Sequence, residues 1–315
     1  MLNRRHLRIK VLQALYAYFQ SSEDSLRRTE KELFTAVDRI YDLYLYLLLS
    51  FEELHALAEF RIEENKKKIR PTEEDSNPNR KFVDNKVIAK LLNSNALRTI
   101  SEAKSVNWIG DEHREMFRKM FNQMRESEVY FTFMNNGVEG FDEDVQFAIE
   151  LFKQEIANSP ILYGYFEEKS IHWMDDIDLA CTMVVKTLKS ASEAENISIL
   201  PLYKDQEDEQ EFIKTLLHKT VSMDTENLKL IDELTKNWEL DRIAKMDIIL
   251  LKMAITELQV CKNIPVRVTL NEYIEISKYY STPKSHGFIN GILDKAIDRL
   301  QKDDKLGKVG RGLLN

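Results

Sequence analysis

Glycine and proline are scarce in this sequence, nine and six in 315 residues. Sheet proteins use both in their turns, so the shortage points to long helices. Cysteine is scarcer still. Cys181 and Cys261 lie far apart in apolar helical stretches and read as buried thiols of a reduced compartment. No apolar run approaches the ~20 residues that span a bilayer. The nearest, Leu43 to Phe51, is short and flanked by Asp42 and Glu52. The basic N-terminus lacks a small-residue cleavage site after it, which argues against a signal peptide, and the expected location is cytoplasmic. Catalytic signatures are missing too. There is no CxxC, HExxH or zinc-spaced Cys/His set, and no Gly-rich strand-to-helix turn, which excludes a Walker loop and a Rossmann fold. Glu52 and His55 form one E-x-x-H, whereas a di-iron bundle needs a pair of them and two further glutamates. The expectation is a non-enzymatic chain without metal or cofactor.

What is present is an ordinary soluble balance, 43% apolar and 31% charged, in a length that allows one to three domains. The net charge of −8 argues against indiscriminate nucleic-acid binding. That charge is unevenly spread. The first 22 residues carry Arg4, Arg5, Arg8 and Lys10 with His6, and no acid precedes Glu23. A basic end on an acidic body fits a protein that touches phosphate at one place and is repelled elsewhere.

Apolar residues at Leu7, Val11, Leu15 and Tyr18 have helix spacing, and a second helical stretch runs from about Ser25 to Phe60. Residues 61–81 lose almost all apolar character and contain Pro71 and Pro78, which predicts a solvated linker. Helical patterning returns over 82–190, with breaks near Asn135–Gly140 and Ser159–Pro160. A further break spans about Ser190–Asp208. Helix is expected again from Glu209 to Leu300, before a polar tail. Shifted against itself by 65 residues, the chain places Phe147, Leu151, Phe166, Glu168, Trp173 and Asp176 on Phe212, Leu216, Ile231, Glu233, Trp238 and Asp241. This reads either as a degenerate duplication over 140–190 or as a coincidence of amphipathic helices.

The C-terminal segment is the most specific. Ile243, Met246, Leu250, Met253, Ala254 and Leu258 predict a helix apolar on most sides, hence buried at a bundle centre. Asn263-Ile264-Pro265 is a stop. Thr269 to Glu272 has capping-box spacing, and Ser285 is a candidate N-cap of a last helix carrying Phe288, Ile292, Leu293, Ala296 and Leu300. Trp238, "ILLKMAITEL", "IPVRVTLNEYIEISK" and "SHGFINGILDK" together resemble, in order and spacing, the C-terminal half of the NusB family. Independently, "NRRHLRIKVLQALY" at residues 3–16 resembles that family's first helix. Residues from about 60 to 206 have no counterpart in the usual, much shorter NusB.

The resemblance implies an all-α bundle and an antitermination role. NusB pairs with NusE, a small-subunit ribosomal protein. The pair binds the boxA element of nascent ribosomal RNA transcripts and acts in the RNA polymerase antitermination complex. The residues make physical sense of this. At 100° per residue Arg5, Gln13 and Tyr16 fall within about 80° of one another, away from Leu7, Val11 and Leu15. A guanidinium, an amide and a phenol together suit phosphate, base edge and unpaired base. Arg4 and Arg8 lean toward the apolar side and fit better on a flexible arm that orders on RNA. The bland alternative is a solvated basic end with Tyr16 packing at a rim.

A second expected patch holds Lys278, Lys284, Ser285, His286, Phe288 and Asn290, with a serine-capped helix start offering N–H groups to a phosphate. Phe288 reads as a stacking platform or a core anchor, and Asn290 as a base reader or a polar contact to a neighbouring helix. Gly287 stands where the family often has a basic residue, and Lys284 where an acidic or neutral one is common. Asp247 matches a position, usually acidic, on the family's NusE-facing surface, and reads equally as a plain surface acid. The expected organisation is a NusB-like core from residues 1–60 and 207–302 around a helical insertion, 61–206. Some RNA cytosine methyltransferases carry a NusB-like domain, but the resemblance here runs almost to the C-terminus and leaves no room for their cofactor domain. The competing reading is a helical protein–protein adaptor of this fold without RNA affinity.

Overall fold

The computed structural model describes residues 2–21, 25–170, 173–235 and 242–306. Among them the scarcity of glycine and proline has its expected result, fifteen α-helices and a π-helical turn with no strand, so the protein is all-α. The first seven helices are α1 (Arg4–Gln20), α2 (Leu26–Lys66), α3 (Glu73–Ser76), α4 (Lys86–Leu92), α5 (Asn95–Lys104), α6 (Asp111–Glu126) and α7 (Glu128–Asn135). Then come α8 (Phe141–Leu151), running into the π turn Phe152–Ile156, α9 (Pro160–Lys169), α10 (Ile177–Lys189) and α11 (Gln206–Ser222). The last four are α12 (Asp224–Leu234), α13 (Lys245–Val260), α14 (Val266–Tyr280) and α15 (Ser285–Lys302). No helix among the described residues is long and apolar enough to cross a membrane.

The chain divides into two units, one of Leu2–Val37 with Tyr203–Asn315, the other Asp38–Leu202. The first boundary falls inside α2. In the discontinuous unit α13 is the centre, with Ile249 to Leu258 buried without interruption, as its apolar pattern demands. Helices α1, α11, α12, α14 and α15 all pack against it.

The Asp38–Leu202 unit is built on aromatic packing. Phe51 stacks on Phe152 at 6.2 Å, and Tyr46 lies 4.8 Å from Trp108. Buried indoles and phenols need partners for their polar tips, and Trp173, Trp108 and Tyr44 find them. Trp173 Nε1 donates to the Arg39 carbonyl at 2.9 Å and Trp108 Nε1 to the Tyr46 carbonyl at 3.0 Å. The Tyr44 hydroxyl lies 2.6 Å from Thr187 Oγ1 and accepts from the Leu200 amide, while burial pushes the phenol up to about 12.

Three expectations are corrected. The stretch 61–81 is not simply a loop: α2 continues to Lys66, and α3 opens at Thr72 with a capping box closed by Asp75. Lys66–Glu63 and Lys67–Glu64 pairs hold the polar helix end where burial contributes nothing. Thr269 and Glu272 do not cap a helix, because α14 has already begun at Val266. Cys181 and Cys261 are half-buried rather than fully enclosed.

Trp238 and Asp241, part of the internal match, lie outside the described residues. The helix starts around that match differ by 65, 64 and 68 residues, so the first two pairs follow its offset and the third departs from it. α8, α9 and α10 start at 141, 160 and 177, and α11, α12 and α13 at 206, 224 and 245. Helix α8 packs on α10 as α11 packs on α13.

Candidate nucleic-acid interface

Helix α1 starts at Arg4 because Asn3 caps it, its side-chain oxygen accepting from the His6 amide at 3.0 Å. Arginines in a first turn oppose the positive end of the helix dipole, so carboxylates from other helices must offset them. They do so for Arg4 and Arg5, and for Arg8 one turn further on. Arg4 pairs with Asp208 of α11, its guanidinium 4.5 Å from the Phe212 ring centre. Arg5 makes a two-pronged bond to Glu272 of α14, Nε to Oε2 and Nη2 to Oε1, both at 2.9 Å. This bond holds the guanidinium above its ordinary range.

Arg8 is buried, and its Nε and Nη2 donate to Glu257 of α13 at 2.8 and 2.6 Å. Glu257, also buried, accepts further from Thr269 Oγ1 at 2.8 Å and the Tyr273 hydroxyl at 3.0 Å. Burial alone would lower the Arg8 pKa, but the bond and charge of Glu257 outweigh it and raise it. Burial, reinforced by the Glu257 charge, lifts the Tyr273 phenol well above its usual value. This fully bonded cluster fixes α1 against α13 and α14.

The expected flexible arm is therefore a capped helix, and Arg8 belongs to the core. Lys10 is buried as well, and Gln13 is half-buried. Tyr16 remains 40% exposed, and the Arg4 and Arg5 side chains are partly exposed. Arg4, Arg5 and Arg8 form one side of an open groove of about 580 Å³ whose other side is Asn263 to Val268.

On α14 and α15, Lys278, Lys284 and His286 are exposed, Lys278 paired with Glu275 one turn earlier. Ser285 is not the expected N-cap. It is buried, its hydroxyl donates to Asp247 Oδ2 at 2.7 Å and accepts from the Thr282 amide at 3.2 Å, and Lys284 holds the cap position. Asp247 is buried beneath it, so it presents no carboxylate to a partner surface in this structure. Phe288 is half-buried, and Asn290 reaches only its own helix, donating to Asp294 at 3.4 Å.

Both expected stretches lie in the one unit. α1 touches α14, and α14 touches α15. Sequence reasoning missed Asp208 and Glu272, the acids that occupy the outer arginines, and Tyr279, 80% exposed beside Lys278. An unpatterned tyrosine next to a lysine was the only signal for the last. The acids gave none, because their partners are far away in sequence.

An all-helical unit whose arginine-bearing first helix is clamped by its C-terminal helices defines a class of helical bundle, and comparison gives it a family. Residues 179–298 match the NusB family. The chain is 39% identical over 115 residues to the transcription antitermination protein NusB of Salinibacter ruber, covering 36% of this chain and 71% of that one. The Natranaerobius thermophilus protein of the same name is 41% identical over 96 residues, 29% of this chain and 66% of its own. That of Chloroherpeton thalassium is 39% identical over 106 residues, 32% and 50%. The chain belongs to the NusB family and is longer than each of these three relatives. No solved structure matches it.

Proposed function

We propose that this protein is a non-catalytic transcription antitermination factor that binds boxA-type single-stranded RNA together with NusE, within the RNA polymerase antitermination complex. Membership of the family carries the reading, since the relatives bear the name transcription antitermination protein. Partly exposed Arg4 and Arg5 with exposed Tyr16, Lys278, Lys284 and His286 supply cations and an aromatic ring in the unit that holds both family-like stretches. Arginine and lysine take phosphate, and a tyrosine face takes an unstacked base. Residues 1–60 and 207–302 are then the family core, although 38–60 cluster with the Asp38–Leu202 unit, around an inserted region, 61–206, in which 140–190 is a degenerate copy of the half that begins near 207. The near-equal offsets of the first two helix pairs and the common packing of α8 on α10 and α11 on α13 support that copy.

The test is titration of the full chain with a boxA-type RNA and an unrelated single strand, with and without NusE. Arg4→Ala with Arg5→Ala should weaken both RNAs alike, because phosphate contacts carry no sequence information. One observation favours a helical adaptor without RNA affinity instead: each arginine of α1 already holds a carboxylate. NusE binding with no measurable RNA affinity would select it.

A further inference from the structure

Residues 49–109 lie outside the 179–298 stretch that matches the NusB family, and the antitermination reading places no RNA or partner contact in them. We propose that an open groove formed by α2, α4 and α5 is a docking site for a basic amphipathic helix of another protein. The cavity is about 520 Å³, within the range of ligand-binding clefts. Its floor is apolar, made by Leu49, Leu92, Leu97 and Trp108. On its rim Ile109 is 79% exposed, a large apolar side chain that its own unit leaves uncovered.

Two polar features choose the occupant. Ser101 lines the groove at 5% exposure, and its hydroxyl has no hydrogen-bond partner among the described residues. Buried hydroxyls are normally satisfied, so this one marks a polar group beside the groove that the fold itself leaves unbonded. Three carboxylates, Glu52, Glu53 and Glu102, face a single cation, Arg98, and none of the four is ion-paired among the described residues. Glu53 is half-buried next to Glu52. Burial first, then that neighbouring charge, hold its carboxyl above the usual range against the opposing pull of Arg114, and an incoming cation relieves both.

The sign of the rim therefore selects a lysine- or arginine-bearing partner, and the floor selects one with an apolar face. A helix is favoured over an extended peptide because no strand edge exists among the described residues to bond a peptide backbone. A helix satisfies its own backbone and needs only side-chain contacts.

The full chain is titrated with a fluorescein-labelled synthetic helix of leucine and lysine at helical spacing. The controls are a scrambled peptide of the same composition, a leucine–glutamate helix and spermidine. The leucine–lysine helix should bind at least about tenfold tighter than either control peptide. Ser101→Phe, which fills the groove, and Glu53→Gln with Glu102→Gln should each weaken it about tenfold. Ile109→Ser, at a side chain that is mostly exposed, should weaken it severalfold and so guards against misfolding of the others. Hydrogen exchange should slow on addition of the helix in the segment containing α5 and Ile109. Equal binding of the scrambled peptide, unchanged affinity in the variants, or displacement by spermidine with no preference for the helix would overturn the proposal.

Discussion

Glu257 accepts four hydrogen bonds from three side chains, on two oxygens, inside the core. Replacing it with alanine leaves a buried guanidinium, a threonine and a tyrosine without their acceptor. The expected loss is about 3–5 kcal/mol, read from the denaturation midpoint of Glu257→Ala against the parent. The outer pairs behave differently. Asp208–Arg4 and Glu272–Arg5 are exposed enough that each adds about 0–1 kcal/mol to stability. RNA phosphate must displace those acids, so Asp208→Asn and Glu272→Gln should raise RNA affinity severalfold with little change in stability. Equal or weaker binding by both variants would remove the outer arginines from the interface. Cys181 is a third case. Burial, with the Asp178 charge second, pushes its thiol from 9.0 up to about 12. A raised folded value favours the protonated form. Its contribution to stability is complete below 9 and is lost as pH climbs toward 12. At pH 8 the thiolate is scarce, and iodoacetamide should label Cys181 far more slowly in the folded protein than in denaturant, as mass spectrometry of its peptide would show. Arg5 and Tyr16 were legible in the sequence because helix geometry alone puts them outside. Arg8 was not, because the carboxylate that buries it is 249 residues away.

Helix positions were largely readable; helix ends were less so. Asn263 to Pro265 does separate α13 from α14, and Ser159 does cap α9 with Pro160 in its first turn. Thr269 and Glu272 have the spacing of a cap, yet α13 and α1 claim their side chains for Glu257 and Arg5. Tertiary partners outweighed a local pattern. The polar anchors of α1 lie in its first two turns and its apolar face runs on to Leu15, while Tyr16 beside it stays 40% exposed. That division of labour predicts that Tyr16→Ala leaves the melting temperature near the parent's and costs about 1–3 kcal/mol of RNA binding. Unchanged affinity would make Tyr16 a bystander.

For the whole molecule, a net charge of −8 means that the proposed RNA binding has to rest on a local basic patch. If Arg4, Arg5, Lys278 and Lys284 each neutralise a phosphate, log K should fall with log salt at a slope of about −3. A slope near zero, with NusE binding intact, favours the adaptor. The division of the chain at Val37 and Leu202 has a temporal consequence. The ribosome delivers every residue of the Asp38–Leu202 unit before it makes the helices against which α1 packs, α11, α13 and α14. At 5–20 residues per second, Leu7, Val11, Leu12 and Leu15 wait on the order of ten seconds for their partners. During that interval the nascent chain presents the apolar face of α1 without the surface that covers it in the folded protein, a substrate for a holding chaperone.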